Sequence, residues 1–423
     1  MDKDFTISVI IPTLNNQDLV EKIILKLNKQ TLLPKEIVIC DSSSGKEVEE
    51  ITKKINSEIQ ISYVSAGTAF PFDRFMIKFR SFFLNKKTFS LEKEGRAYPY
   101  EASNLGAHKA QSEWLAFLDT TTIPDDSWLE QYSKIIKDEN VEVVFGVTRY
   151  QAETNFQQLL RASTYGRKGH ETAPGTLIRK KDFINSNEIL EGVRSGGDIE
   201  WRNRIKSNYK WITPKFISLT YPYLQTNLFS ATKKFFWYQL HGARLDVQNT
   251  VKDIYLGLLL ILSSIVIPQW NGIVGWEQSP LYLPYVTRYY LIALVIIFLS
   301  TLVINRGFLR GFSNSFLSNI TKTLVFIFAC IFVFRWNAKV AGWVEESVWY
   351  IPHITKVFVG LVLLSSIAYR GLYFPLMNKV KKEYLFPFKW VVVGLLGLFL
   401  DAVKAPGYVI GSIISPFTKT RKK

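Results

Sequence analysis

SEWLAFLDTTTIPDDSWLE, Ser112 to Glu130, opens on a short apolar run, Trp114 to Leu118, with no alternation of apolar and polar residues. A run this short and this continuous reads as a strand buried on both faces. It stops at Asp119, and Pro124 then opens a polar turn into an amphipathic helix with Leu129, Tyr132, Ile135 and Ile136 on one side. A carboxylate at the carboxyl end of a buried parallel strand stands where open α/β sheets place their ligands. Taken alone, the stretch equally suits an Asp that only caps a turn.

Working outward, Ile7 to Ile11 is a continuous apolar run that ends in Pro12-Thr13-Leu14-Asn15-Asn16. A helical face of Leu19, Val20, Ile23, Ile24 and Leu27 follows. Pro34 breaks the chain before a second buried strand, Glu36 to Cys40, which runs into Asp41-Ser42-Ser43-Ser44-Gly45. A helix from about Lys46 to Ile55 leads to a third strand, Gln60 to Val64. Strand–helix alternation of this kind predicts a parallel doubly wound sheet. Right-handed crossovers then bring the chain ends after Pro12, Asp41 and Asp119 to one edge. No G-x-G-x-x-G and no Walker loop is present, so neither a dinucleotide nor a P-loop site is indicated.

The 423 residues leave room for more than this domain, and apolar residues are unevenly placed, with long apolar runs beyond Ile254. The formal charge of +16 comes without a zinc, helix-turn-helix or basic-aromatic RNA signature. Many Lys and Arg instead flank the apolar runs, which points to a membrane surface and away from nucleic acid. The two cysteines, Cys40 in an expected strand and Cys330 in an expected span, suit a reducing setting. Asp2, Lys3 and Asp4 lead straight into a strand, with no signal-peptide pattern.

Three blocks carry a resemblance. ISVIIPTLNN…LNKQTLLPKEIVICDSSSG is similar to the opening of family 2 glycosyltransferases, which have the nucleotide-diphospho-sugar transferase (GT-A, Rossmann-like) fold; Gln30, Pro34, Glu36 and Asp41 fall in the family's order. YPYEASNLGAHKAQSEWLAFLDTTTIPDDSWLE is similar to the family's A-R-N-x-G segment and D-x-D strand. PGTLIRKKDF…SGGDIEWRNRI is similar to its acceptor-side segment and catalytic E-D…R region. The resemblance implies that Pro12, Asn15 and Asp41 hold the nucleoside of a nucleotide sugar, and that Asn104 lies near the donor with Gly106 permitting close backbone approach. It makes Asp119 the first acid of D-x-D, Asp198 the general base on an acceptor hydroxyl in an inverting reaction, and Arg204 the family's arginine.

Departures from that pattern bear on the cofactor. Thr121 stands at the second D-x-D acid, Ser103 replaces an Arg, and Gly197 replaces the Glu before the base. Hard cations favour carboxylate oxygens, so losing one acid weakens a Mg²⁺ or Mn²⁺ site, although Asp119 with phosphate and water would still hold an ion. Cations such as Arg96, Arg202, Arg204, His241 or Arg244 would do similar electrostatic work on a leaving diphosphate. A degenerate relative that acts only as a membrane scaffold in glycan assembly is the alternative reading.

The remainder reads as membrane domain. Residues 1–230 are the expected cytoplasmic catalytic domain, 231–252 an interfacial linker, 253–376 about four spans, and 377–423 interfacial helices with a basic tail. The runs are Ile254–Trp270, Tyr289–Ile304, Thr323–Trp336 and Val357–Phe374, and Lys and Arg concentrate on the loops that a cytoplasmic domain places inside. A fifth run, Trp390 to Leu400, precedes Asp401 and Lys404 and reads as an interfacial or re-entrant helix pair. Phe235 to Arg244 suits a helix at headgroup level, and the Phe- and Lys-rich stretch Ala69 to Phe89 suits either an interfacial helix or one packed on the domain. The Q-x-x-R-W motif of processive synthases is absent, since Gln239 is followed by Leu-His-Gly-Ala-Arg. The expected activity is transfer of a sugar from a nucleotide donor to a lipid-linked acceptor, a polyprenyl phosphate or glycolipid, at a bacterial or archaeal plasma membrane.

Overall fold

The computed structural model describes residues 5–67, 97–243, 245, 270–286, 350, 360 and 363–414. The chain forms two compact units, one of Met1–Ala231 with Asn378–Val380 and Phe417–Lys423, the other of Thr232–Met377 with Lys381–Pro416.

The first unit begins β1 (Ile7–Thr13), α1 (Gln17–Leu27), β2 (Glu36–Asp41), α2 (Glu47–Lys54), β3 (Gln60–Ser65), α3 (Pro99–Lys109) and β4 (Trp114–Phe117). β5 (Ile123–Pro124), α4 (Trp128–Glu139), β6 (Val143–Tyr150), α5 (Asn155–Thr164), β7 (His170–Arg179), α6 (Lys180–Asn185), α7 (Gly197–Asn208), β8 (Trp211–Ile212) and β9 (Leu219–Tyr221) follow, and α8 (Leu228–Gly242) belongs for most of its length to the second unit. One sheet runs in the order β3-β2-β1-β4-β7-β6-β9-β5, with β8 added on β6. β1 pairs in parallel with both β2 and β4, and β2 with β3. The expectation of a parallel sheet holds for these four strands and for β6 with β8 and β9, and fails at β7 and at the β5–β9 pair. β7, reached from β6 through α5, is antiparallel to both β4 and β6, so the sheet is mixed.

Alternation along each strand divides the core. Val9, Ile11, Ile37, Ile39, Trp114 and Ala116 face one layer with α1 and α4, where Val20, Ile24, Leu129 and Tyr132 are fully covered. Ile10, Val38, Cys40, Leu115 and Phe117 face the other, with Ala102 and Ala107 of α3, Phe183 of α6, and Trp201 and Ile205 of α7. A sheet buried on both faces explains the unbroken apolar runs. Gly106 belongs to this packing: a Cβ there would run into Cys40 Sγ and Ile10 Cγ2, so the close approach it allows is of helix to sheet. Gln30 and Glu36 brace the frame as well. Gln30 Nε2 donates to Asp125 O at 2.7 Å, and Glu36 accepts from Ser8 Oγ at 2.6 Å and from the Gln111 amide.

In the second unit a helix spans Lys389–Ile414 without a break, through Pro406. The run from Trp390 is therefore one long helix and not a helix pair. Asp401 and Lys404 do not end it, because Arg370 Nε meets Asp401 Oδ2 at 2.7 Å and Lys404 Nζ meets Oδ1 at 3.1 Å. Its Lys389–Tyr408 portion, 20 residues with a mean hydropathy of 1.5, is long and apolar enough to cross a membrane by length and composition. Gly371 and Gly394 let the two helices of this unit approach closely: a Cβ on Gly371 would meet Trp390 O, and one on Gly394 would meet Ile367 O. The runs expected at Tyr289–Ile304 and Thr323–Trp336, nearly all of Ile254–Trp270, and the Ala69–Phe89 stretch lie outside the described residues.

Candidate active site

The strand order reverses direction beside β1, between β2 and β4, which is the switch point where parallel sheets open a crevice at their carboxyl ends. Thr13 and Asp41 are register partners at those ends. Asn15 takes a left-handed backbone (φ 54), which Asn tolerates better than most residues, and its amide donates to Ser43 Oγ at 2.7 Å. Asp41 Oδ1 accepts from the Ser43 amide at 2.9 Å, and Oδ2 accepts from Tyr63 OH at 3.1 Å. The two loops that follow β1 and β2 are thus one braced edge, with Pro12 part-exposed beside it. The Thr13 hydroxyl is buried there and has no hydrogen-bond partner, a polar atom aimed at no protein group.

Asp119 follows β4 on this same edge. Its turn is locked locally: Thr122 N and Oγ1 donate to Asp119 O at 3.0 and 2.9 Å, and the Asp119 amide donates to Thr122 Oγ1 at 3.2 Å. Thr121 is partly buried in the turn. The Asp119 side chain keeps some contact with solvent, yet packing around it and the carboxylate of Asp198 push its carboxyl up to about 6. Two acids from distant parts of the sequence therefore share one electrostatic environment, a pattern common at catalytic centres.

Asp198 lies in the first turn of α7, after Gly196 in a left-handed conformation (φ 86). Tyr100 OH donates to its Oδ1 at 2.9 Å, and Arg202 Nη2 lies 3.5 Å from its Oδ2. Arg202 is held in turn by Glu171, through the backbone oxygen and Oε1, both at 2.9 Å. Arg204, expected to work with Asp198, is directed elsewhere: it bonds Glu200 Oε2 at 2.8 Å and Glu188 O at 2.9 Å. Helical spacing decides this, since a partner four residues on shares a face and one six residues on does not.

Asn104, expected at the donor, uses both ends of its amide on one residue. Nδ2 donates to Ile189 O at 2.8 Å and Oδ1 accepts from Ile189 N at 3.1 Å. One turn earlier Glu101 closes a capping box on Tyr98 and accepts from Gly192 N at 2.8 Å. α3 is thus a rack for the loop that leads into α7. His241 is buried in the second unit, and Arg244 and Arg96 lie outside the described residues. No group of three or more His, Cys, Asp or Glu that would hold a metal occurs among the described residues. Tyr100, Tyr63 and Thr13 escaped the sequence reading, because nothing in their spacing marks them; only the cross-sheet packing does.

This frame sets one carboxylate, Asp119, just beyond β4 at the switch point and a second, Asp198, in the first turn of α7. Residues 8–68 match the family model "Glycosyl transferase family 2". Chondroitin synthase of Escherichia coli is 20% identical over 201 residues, 46% of this chain and 24% of that protein. Glycosyltransferase AglE of Haloferax volcanii is 25% identical over 214 residues, 47% of this chain and 60% of that protein. The chain thus spans less than two thirds of the length of each of these curated relatives. Among solved structures, S. aureus TarS 1-349 in complex with UDP-GlcNAc has 14% identity and a TM-score of 0.37, over 64% of this chain and 77% of that one. Residues 8–68 are thus similar to family 2 glycosyltransferases, and about half of the chain is similar to the two curated relatives.

Proposed function

We propose that this chain is an inverting glycosyltransferase that moves a sugar from a nucleoside-diphosphate donor to the hydroxyl of a lipid-linked acceptor at the cytoplasmic face of a membrane. The observation that carries the reading is the electrostatic coupling of Asp119 to Asp198 at the carboxyl edge of the sheet. Asp119 stands on the donor side, beside the braced loops of Pro12, Asn15 and Asp41. Asp198, 79 residues further along the chain in the first turn of α7, takes the acceptor side.

In this reaction the acceptor hydroxyl loses its proton to the Asp198 carboxylate as its oxygen bonds the anomeric carbon. The bond from that carbon to the diphosphate breaks on the opposite face, and the nucleoside diphosphate leaves with the electron pair. Asp41 and the Thr13 hydroxyl offer an acceptor and a spare donor to the nucleoside. Arg202, held by Glu171, brings positive charge beside the base. A divalent cation fits the residues present in a limited way: the Asp119–Asp198 repulsion is what such an ion would relieve, and Mg²⁺ commonly takes one or two carboxylates with substrate phosphates completing its shell. Asp119 would hold Mg²⁺ or Mn²⁺, which supplies charge neutralisation for the leaving diphosphate.

A lipid acceptor is supported by the apolar helix Lys389–Ile414 and by the exposed aromatics Phe229, Phe386 and Phe388. The test is a thermal-shift screen of the detergent-solubilised chain against UDP- and GDP-sugars, with and without Mn²⁺, followed by turnover of Asp198→Asn. Donor binding with loss of turnover supports the reading. Near-normal turnover of that variant would move the acceptor to an ionised polyprenyl phosphate, which needs no base. Full activity in excess EDTA removes the metal. Binding of no donor at all would favour a scaffold role.

A further inference from the structure

We propose that Tyr100 is a positioning residue for Asp198, and that Gly197 is the residue that admits it. The inference rests on the reading of Asp198 as the base. Tyr100 comes from the first turn of α3 and Asp198 from the first turn of α7, helices on the same face of the sheet but far apart in sequence. The phenol oxygen donates to Asp198 Oδ1 at 2.9 Å, while Oδ2 has the longer 3.5 Å approach of Arg202 Nη2. A carboxylate on a single turn of helix can rotate about two side-chain bonds. A donor on one oxygen and a cation on the other fix its plane, and the Tyr100 bond is the shorter of the two. Burial and the neighbouring Asp198 hold the phenol well above its ordinary range, so it stays a donor throughout the working pH range and does not compete for the acceptor's proton.

Gly197 explains why the tyrosine can be there. A Cβ at that position would come within 2.8 Å of both Cδ2 and Cε2 of the Tyr100 ring and 3.3 Å of Leu190 O. The Cδ2–Cε2 edge of the ring therefore lies against the backbone just before Asp198, in the volume that any side chain at 197 would fill. The glycine in place of an acid and the tyrosine at 100 are two halves of one arrangement. A purely space-filling role would be met by Phe, whereas the hydroxyl meets Asp198 itself, donating to its Oδ1 and facing its backbone amide.

The test uses the full detergent-solubilised chain and hydrolysis of UDP-glucose, UDP-N-acetylglucosamine and GDP-mannose, with Asp198→Asn as reference. Losing a hydrogen bond to a charged group predicts a fall in kcat of about tenfold or more for Tyr100→Phe, with donor KM within about twofold. Gly197→Ala, by displacing the ring, is expected to lower kcat similarly. The double variant should be no worse than the poorer single one, because both substitutions act through the same bond. Thermal midpoints report that each variant is folded; if Gly197→Ala is not, Tyr100→Phe alone decides. Wild-type kcat in Tyr100→Phe, or kcat losses that multiply in the double variant, overturn the proposal. Wild-type turnover by Asp198→Asn overturns the base reading instead, and no hydrolysis of any of the three donors by the unaltered chain removes both.

Discussion

Asp119→Asn should make the protein more stable at neutral pH while it damages the site. The wild-type carboxyl rises from an ordinary 3.8 to about 6, because it is packed in and faces Asp198. That difference is worth about 3 kcal/mol once the group is fully ionised. Residual solvent contact screens part of it, so about 1–2 kcal/mol is the expected gain on replacing the acid by its neutral isostere. For a unit of this size the gain is a rise in thermal midpoint of about 3–6 °C. The sign depends on pH. Folding raises this carboxyl, so its contribution to stability is complete below about pH 4 and is lost as pH rises through about 6. The variant, with no proton to lose, therefore gains over wild type at about pH 8 and converges on it at about pH 4. Melting curves in EDTA at both pH values measure this, and added Mn²⁺ should narrow the gap by stabilising only the wild type. A variant less stable than wild type at the higher pH, or one with the same gain at both, would refute the coupling of the two acids.

Gly106→Ala should destabilise the first unit by about 1–3 kcal/mol, since the methyl would meet Ile10 and Cys40 in a full core; chemical denaturation reads it, and an unchanged midpoint contradicts the packing. Asp41→Asn should weaken donor binding about tenfold or more, seen as a lost thermal shift, because the amide cannot accept from both Ser43 and Tyr63 as the carboxylate does. Asp401→Asn should destabilise the second unit by about 3 kcal/mol, as Arg370 and Lys404 lose their common counter-charge; the reverse result would show that solvent reaches the pair freely. Cys40, pushed up to about 12 by burial, should resist alkylation until the chain unfolds, which mass spectrometry of iodoacetamide-treated protein checks.

Much of the frame was legible in the residues. Unbroken apolar runs ending at Ile11, Cys40 and Leu118 state a sheet covered on both sides, with polar loops and an acid at one edge, because a strand buried on two faces cannot alternate. Helical faces such as Val20, Ile23, Ile24 and Leu27 follow from periodicity alone. What tertiary structure decided is the use of the polar groups. Helical phase turned Arg202 toward Asp198 and Arg204 toward Glu200. Packing of α3 and α7 on one sheet face set Asn104 to hold the Ile189 loop, and brought Tyr100 over Gly197 to Asp198. A partner for Asp401 in Arg370 let a charged segment continue as one long helix. None of these is a spacing within a segment; each depends on which faces meet once the apolar layers have formed. Sequence by itself thus determined where Asp119 lies, and the fold decided that Asp198 stands against it.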